Sequence, residues 1–188
     1  MTREQPSEDS NRTVAEVLRA NGHSELNPTQ SLALRAGLLA PSSFVVASPT
    51  ASGKTLIGEV AVIDAVRRGK KGIYLVPLRS LGNEKFEDFT RYKGIKVVLK
   101  TGDYDTKEEG LKDYQIIVAT YEKWDSILRH RPNWLEQVGC VVADEGHMMT
   151  DGSRGSTRSL EPLSYLVGNL RIWLDEREDR NTMIRERR

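Results

Sequence analysis

The chain has 188 residues, 38% hydrophobic and 29% charged, and its 28 Lys and Arg against 27 Asp and Glu leave a formal charge of +1. That is enough for one domain with a substantial core and short for two, and the balanced charge neither argues for nor excludes nucleic acid, whose binding face would need local placement of Lys and Arg. No run of 18 or more apolar residues is present, the polar opening MTREQPSEDSNR lacks a secretory core, and one cysteine makes neither an internal disulfide nor a zinc cluster; the expectation is a cytoplasmic protein in a reducing compartment, without a membrane partner.

Residues Met1 to Arg12 read as a disordered or loosely held lead-in. Thr13 then caps a short helix with Val14, Val17 and Leu18 on one face, stopped by Asn21-Gly22. Pro28 opens a second helix running to about Leu39. From there strands and amphipathic helices alternate. Strands are expected at Phe44–Ala47, Gly72–Val76, Ile95–Leu99, Gln115–Ala119 and Gly139–Ala143, with helices at Lys54–Arg68, Ser80–Tyr92 and Glu122–Arg129. The runs IYLV, IIVA and CVVA are nearly continuous and β-rich, as parallel strands covered on both faces require. The fold class is therefore α/β, a mostly parallel sheet with helices on both faces and ligands at the strands' C-terminal ends. Cys140, inside VGCVVAD, reads as a buried strand residue, and Trp124, Ile127 and Leu128 share the spacing of one packed helix face. From Asp175 to Arg188 ten of fourteen residues are charged, which suits a solvated helix and offers almost nothing to a core.

The stretch ASPTASGKT, Ala47 to Thr55, follows an apolar strand and precedes a helix. It fits the phosphate-binding pattern G-x-x-x-x-G-K-[ST] at Gly53, Lys54 and Thr55, with Ser48 in place of the first glycine. In such a loop the amides of Thr50, Ala51, Ser52, Gly53, Lys54 and Thr55 cradle phosphate oxygens, helped by the helix N-terminus. Lys54 bridges the β- and γ-phosphates of ATP, and the Thr55 hydroxyl ligates Mg²⁺. A second acidic strand end is needed, and VGCVVADE supplies it: Asp144 for the metal side, Glu145 to orient the attacking water, with His147 two residues on.

The remaining motifs narrow what this chemistry drives. LNPTQ, Leu26 to Gln30, resembles the Q motif of superfamily 2 helicases, in which the glutamine reads adenine; PTASGKT resembles their motif I. PLRSLGNEK, from Pro77, is similar to motif Ia, TGDY at Thr101–Tyr104 to motif Ib, ATYEKWDSILR to motif Ic, and DEGH at Asp144–His147 to the DExH box. The order most resembles the archaeal Ski2-like, Hjm-type DNA-repair helicases, over about Leu26 to Gly155. The resemblance implies a RecA-like P-loop NTPase domain at 25–174, flanked by the lead-in at 1–24 and the charged tail at 175–188. It implies ATP and Mg²⁺ as cofactors and Gln30 and Ser48 in the nucleotide site. It also implies backbone contacts to single-stranded or branched DNA from Arg79, Thr101, Gly102 and Thr120, with DNA favoured over RNA and unwinding from 3′ to 5′.

Three departures stand against the family pattern. Gly146 replaces the usual Ile or Val of the DExH box, the sequence drifts after Asp151–Gly155, and LRIWL (from Leu170) leads into Asp175-Glu176-Arg177 where motif III should give Ser-Ala-Thr. A second RecA-like domain, in cis or in trans, is expected to be needed for full activity. The expectation is the first motor domain of a Ski2-like helicase, truncated, excised or degenerate and weak alone. A non-catalytic nucleic-acid or partner-binding module and a different P-loop enzyme, such as a small-molecule kinase, stay open.

Overall fold

The computed structural model describes residues 8–40, 43–49, 51–102, 108–145, 170–176 and 183–187. The first helix, α1, spans Glu8–Ala20 and starts earlier than Thr13, so part of the expected lead-in is ordered structure. Glu8 and Asp9 in its first turn and Arg19 in its last complement the helix dipole, a start signal that the search for a Thr cap overlooked. The helix buries Thr13, Val17 and Leu18 and packs on the later helix at Lys54–Arg67, where Arg67 pairs with Glu16. It is thus continuous with the domain. The second helix, α2 (Pro28–Arg35), opens with a capping box: Asn27 Oδ1 accepts from the Gln30 amide at 2.9 Å, and Gln30 Oε1 accepts from the Asn27 amide at 2.9 Å. It ends before Leu39, the chain continuing through hydrogen-bonded turns.

Strand β1 (Ser43–Ser48) leads to α3 (Lys54–Arg67), then β2 (Lys71–Val76), α4 (Arg79–Thr90), β3 (Val97–Lys100), β4 (Ile116–Thr120), α5 (Tyr121–Arg129) and β5 (Val138–Ala143). Two further strands, β6 (Leu170–Glu176) and β7 (Met183–Arg187), complete a seven-stranded sheet in the order β3-β4-β2-β5-β6-β1-β7. Every pairing is parallel except β7 on β1. The reading of the tail as a solvated helix is corrected by β7, in which Met183 lies opposite Ala47 and Arg187 opposite Ser43. Pairing at a sheet edge is made by main-chain groups, and a charged outermost strand is a normal way to close one.

Alternation along the strands sorts the core into two layers. Tyr74, Val76, Ile116, Val118, Cys140 and Val142 pack with the helices α1 to α4, whereas Ile73, Leu75, Ile117, Ala119, Val141 and Ala143 pack with α5. Cys140 is fully buried, and burial pushes its thiol above the ordinary range, as a core residue requires. Trp124, Ile127 and Leu128 are all buried on the α5 side, as their spacing predicts.

One buried carboxylate ties α1, α3 and α4 together. Glu59 of α3, 4% exposed, accepts from the Tyr92 hydroxyl at 2.5 Å and from Asn21 Nδ2 at 3.1 Å, with Asp88 and Lys85 acting on it through space. Burial raises its pKa above the ordinary 4.5, the hydrogen bonds opposing. The folded state therefore holds this proton more tightly than the unfolded chain, and stability falls as pH climbs from 4.5 through the raised value. Glu59→Gln keeps an acceptor and never ionises. Thermal melts should show it gaining on the parent as pH rises through that window, then levelling; a difference independent of pH there would show that folding leaves the Glu59 pKa unshifted.

Candidate functional site

The C-terminal ends of β1, β2, β3, β4 and β5 share one rim, and the site is built along it. Beyond Ser48 the chain turns through Ala51 at φ 60° and Gly53 at φ 81°, and α3 begins at Lys54. Left-handed residues beside right-handed ones turn successive amides inward, which makes a nest for anions in front of the helix N-terminus. Ser48, standing where the pattern has glycine, is fully buried, and its Oγ lies 2.5 Å from Ser52 Oγ. The substitution thus adds a hydroxyl staple across the loop. Lys54, 8% exposed, folds over the same turn and donates Nζ to the carbonyls of Ser48 at 2.6 Å and Pro49 at 3.2 Å. Thr55 follows, half-buried, in the first turn of α3, and Ala51 is exposed.

The start of α2 leans on this loop. Asn27 Nδ2 donates to the Ser52 carbonyl at 2.9 Å and Gln30 Nε2 to the Gly53 carbonyl at 3.3 Å. Glycine is required at position 53 by φ, and a Cβ would in addition stand 2.5 Å from Gln30 Nε2 and 2.6 Å from Asn27 Nδ2, pushing aside the two amide ends that brace the loop. Gln30, 6% exposed, is joined to the phosphate loop by its side chain. Asn27 was named only within its motif; its part in bracing the loop follows from the same Asn-x-x-Gln spacing that forms the capping box.

Across the rim, with β6 between, β5 ends at Asp144 and Glu145. Asp144 is 9% exposed; its Oδ2 accepts from the Tyr74 hydroxyl at 2.8 Å and its Oδ1 from the Glu145 amide at 3.1 Å. Burial raises the Asp144 pKa, opposed by the Tyr74 hydrogen bond and by the charges of Lys85 and Lys54. Tyr74, buried and facing that carboxylate, is pushed well above its ordinary value and remains a donor. Glu145 sits at φ 52°, a strained position of the kind that gathers at functional sites. Among the described residues no group of three or more His, Cys, Asp or Glu forms a metal cage. Thr55, Asp144 and Glu145 offer hard oxygens only, a set that fits Mg²⁺ completed by phosphate and water.

The residues expected on nucleic acid continue the rim. Arg79 begins α4, and its Nη2 comes within 3.8 Å of the position a Gly102 Cβ would take. A Cβ on Gly82 would stand 3.0 Å from Thr101 Cγ2, so α4 and the end of β3 lie in close contact. Beside Arg79, Leu78 is 43% exposed. Thr120 lies farther along, 6% exposed, and its Oγ1 caps α5 by accepting from the Lys123 amide at 3.4 Å. Thr50, Gly146, His147, Asp103, Tyr104 and Asp151–Gly155 lie outside the described residues. Asp175 and Glu176 end β6 in register with Ala47 and Ser48, beside the phosphate loop.

The family model for DEAD/DEAH box helicases matches residues 27–180. The chain belongs to this family. This DEAD/DEAH box domain is 47% identical over 147 residues to the ATP-dependent DNA helicase Hel308 of Pyrococcus horikoshii, covering 77% of the chain and 21% of the relative. It is 46% identical over 156 residues to Hel308 of Pyrobaculum calidifontis, covering 82% of the chain and 21% of the relative. A solved structure of S. cerevisiae Dbp5 superposes with a TM-score of 0.72 at 19% identity, over 87% of this chain and 45% of that one, and shares the fold. The domain spans about a fifth of the length of these Hel308 relatives. The resemblance drawn from the motifs is borne out, and so is the RecA-like helicase fold.

Proposed function

We propose that this first motor domain binds Mg²⁺-ATP at the rim between β1 and β5 and works in ATP-dependent unwinding of DNA. The observation that carries the reading is the facing of a phosphate nest headed by Lys54 and a buried Asp144 carboxylate that feels the Lys54 charge. On arrival of a triphosphate, Lys54 exchanges the Ser48 and Pro49 carbonyls for β- and γ-phosphate oxygens. Thr55 and Asp144 would hold Mg²⁺, whose charge would offset that developing on the phosphates. Glu145 orients the attacking water. Arg79, Thr101, Gly102 and the end of β4 at Thr120 follow the sugar-phosphate backbone, giving affinity without base specificity. The substrate proposed is DNA, single-stranded or branched, and the naming of the Hel308 relatives as DNA helicases supports DNA over RNA. A second motor domain would supply arginine fingers, worth about 10³ to 10⁵ in rate in other NTPases, so the domain alone should hydrolyse slowly.

The test compares wild type, Lys54→Ala and Glu145→Gln for Mg²⁺-ATP binding and DNA-stimulated hydrolysis. Lys54→Ala should weaken binding on the order of tenfold or more, the loss of one strong charged contact. Glu145→Gln should bind and not turn over. Unchanged ATP affinity in Lys54→Ala would remove the site. Asp175-Glu176 at the place of motif III favours a second reading, a binding module without catalysis. DNA affinity that falls with salt and ignores nucleotide would select it.

A further inference from the structure

Asp144 is gripped by two tyrosines, Tyr74 outside the quoted motifs and Tyr121 inside the motif Ic stretch but given no role there. Tyr74, fully buried in β2, donates its hydroxyl to Asp144 Oδ2 at 2.8 Å, and Phe89 packs edge-on against its ring at 5.5 Å. Tyr121, the first residue of α5 and 7% exposed, donates its hydroxyl to the Asp144 main-chain oxygen at 2.5 Å. Strands β4 and β5 do not touch; they flank β2. Neighbouring strands lie about 4.8 Å apart, so a group on β4 needs roughly 10 Å of reach to meet β5. A tyrosine placed one residue beyond β4 has that reach. The Asp144 amide also donates to the Leu75 carbonyl at 2.9 Å. Main chain and carboxylate are thereby fixed from two sides, one hydroxyl coming from β2 and the other from the start of α5.

Resting on the reading of the metal site above, we infer that Tyr74 and Tyr121 are positioning residues for Asp144: Tyr74 sets the rotation of the carboxylate and Tyr121 the place of its backbone. Neither touches nucleotide. Their effect is to pre-set the carboxylate that takes the metal, so that no side-chain freedom is lost when Mg²⁺ arrives. Groups that orient a metal-holding carboxylate typically matter by 10- to 100-fold in metal affinity.

The experiment measures the affinity of the 188-residue chain for a fluorescent ATP analogue, once with excess Mg²⁺ and once in EDTA, for wild type, Tyr74→Phe and Tyr121→Phe. Wild type should bind more tightly with Mg²⁺. Each variant should lose on the order of tenfold of that Mg²⁺-dependent gain while keeping the EDTA affinity. A hydroxyl with only a packing role would change both affinities equally, and that result, or no change in either variant, overturns the inference. Tyr121 lies nearer the surface than Tyr74, so Tyr121→Phe carries the test alone if loss of the deeper hydroxyl unfolds the chain, a point settled by thermal melting. Wild-type affinity indifferent to Mg²⁺ would overturn the metal site itself, and it is recognisable before any variant is made.

Discussion

Gly53→Val is expected to lower nucleotide affinity on the order of 100-fold. The residue sits at φ 81°, and a branched side chain there costs about 1–3 kcal/mol in backbone strain. Its Cβ would also fall 2.5 Å from Gln30 Nε2 and 2.6 Å from Asn27 Nδ2, displacing both amide ends from the Gly53 and Ser52 carbonyls at about 0.5–1.5 kcal/mol per hydrogen bond. Relief comes from swinging the two amide ends aside or from flattening the loop, and either leaves the nest without its braces. Since about 1.4 kcal/mol is a factor of ten, the lower half of the combined range already gives the stated loss. Titration with a fluorescent nucleotide reads the affinity, and thermal melting separates a local effect from unfolding. Wild-type affinity in this variant would mean that Asn27 and Gln30 do not lie over the loop when nucleotide binds.

Trp124→Ala is expected to remove about 3–5 kcal/mol of stability. The indole is 2% exposed on α5 and tilts against Trp134 with ring centroids 6.3 Å apart, in the layer formed with Ile73, Leu75 and Val141. Truncation would leave a void beneath the helix that begins with Tyr121. The indole Nε1 has no hydrogen-bond partner among the described residues, so Trp124→Phe gives up volume without breaking a polar contact. Phenylalanine should cost well under half as much as alanine. Chemical denaturation of the two variants tests this ordering; equal losses would point to a bond made by the indole nitrogen, and a stable alanine variant to an exposed base-stacking residue.

Much of the architecture is legible because both sheet faces are covered. IYLV, IIVA and CVVA have no polar side to lose, and they became β2, β4 and β5 within a residue or so of the expected ends. The strand at Leu170–Glu176 was legible differently, through the resemblance of LRIWL to the strand that precedes motif III. The opposite case is β7, whose charged sequence carries no apolar signal and whose pairing with β1 comes from the backbone. In the site, Gly53-Lys54-Thr55 and Asp144-Glu145 are local strings, and local chemistry can be read locally. The braces on them cannot. Tyr74 reaches Asp144 from 70 residues away and Tyr121 from 23, and nothing beside either residue marks the partner. Thr120 shows a different difficulty: one hydroxyl fits both a backbone contact and a helix cap, and the folded chain uses it as a cap.

The position of β1 has a kinetic consequence. Among the described residues its sheet neighbours are β6 and β7, so the strand that leads into the phosphate loop pairs with segments far along the sequence. Contacts of such long range are closed late and slowly, because the intervening loop must lose its entropy before the pairing rewards it. A nascent polypeptide would therefore pair β2, β3, β4 and β5 before β1, and form its nucleotide pocket only once β6 and β7 have emerged from the ribosome.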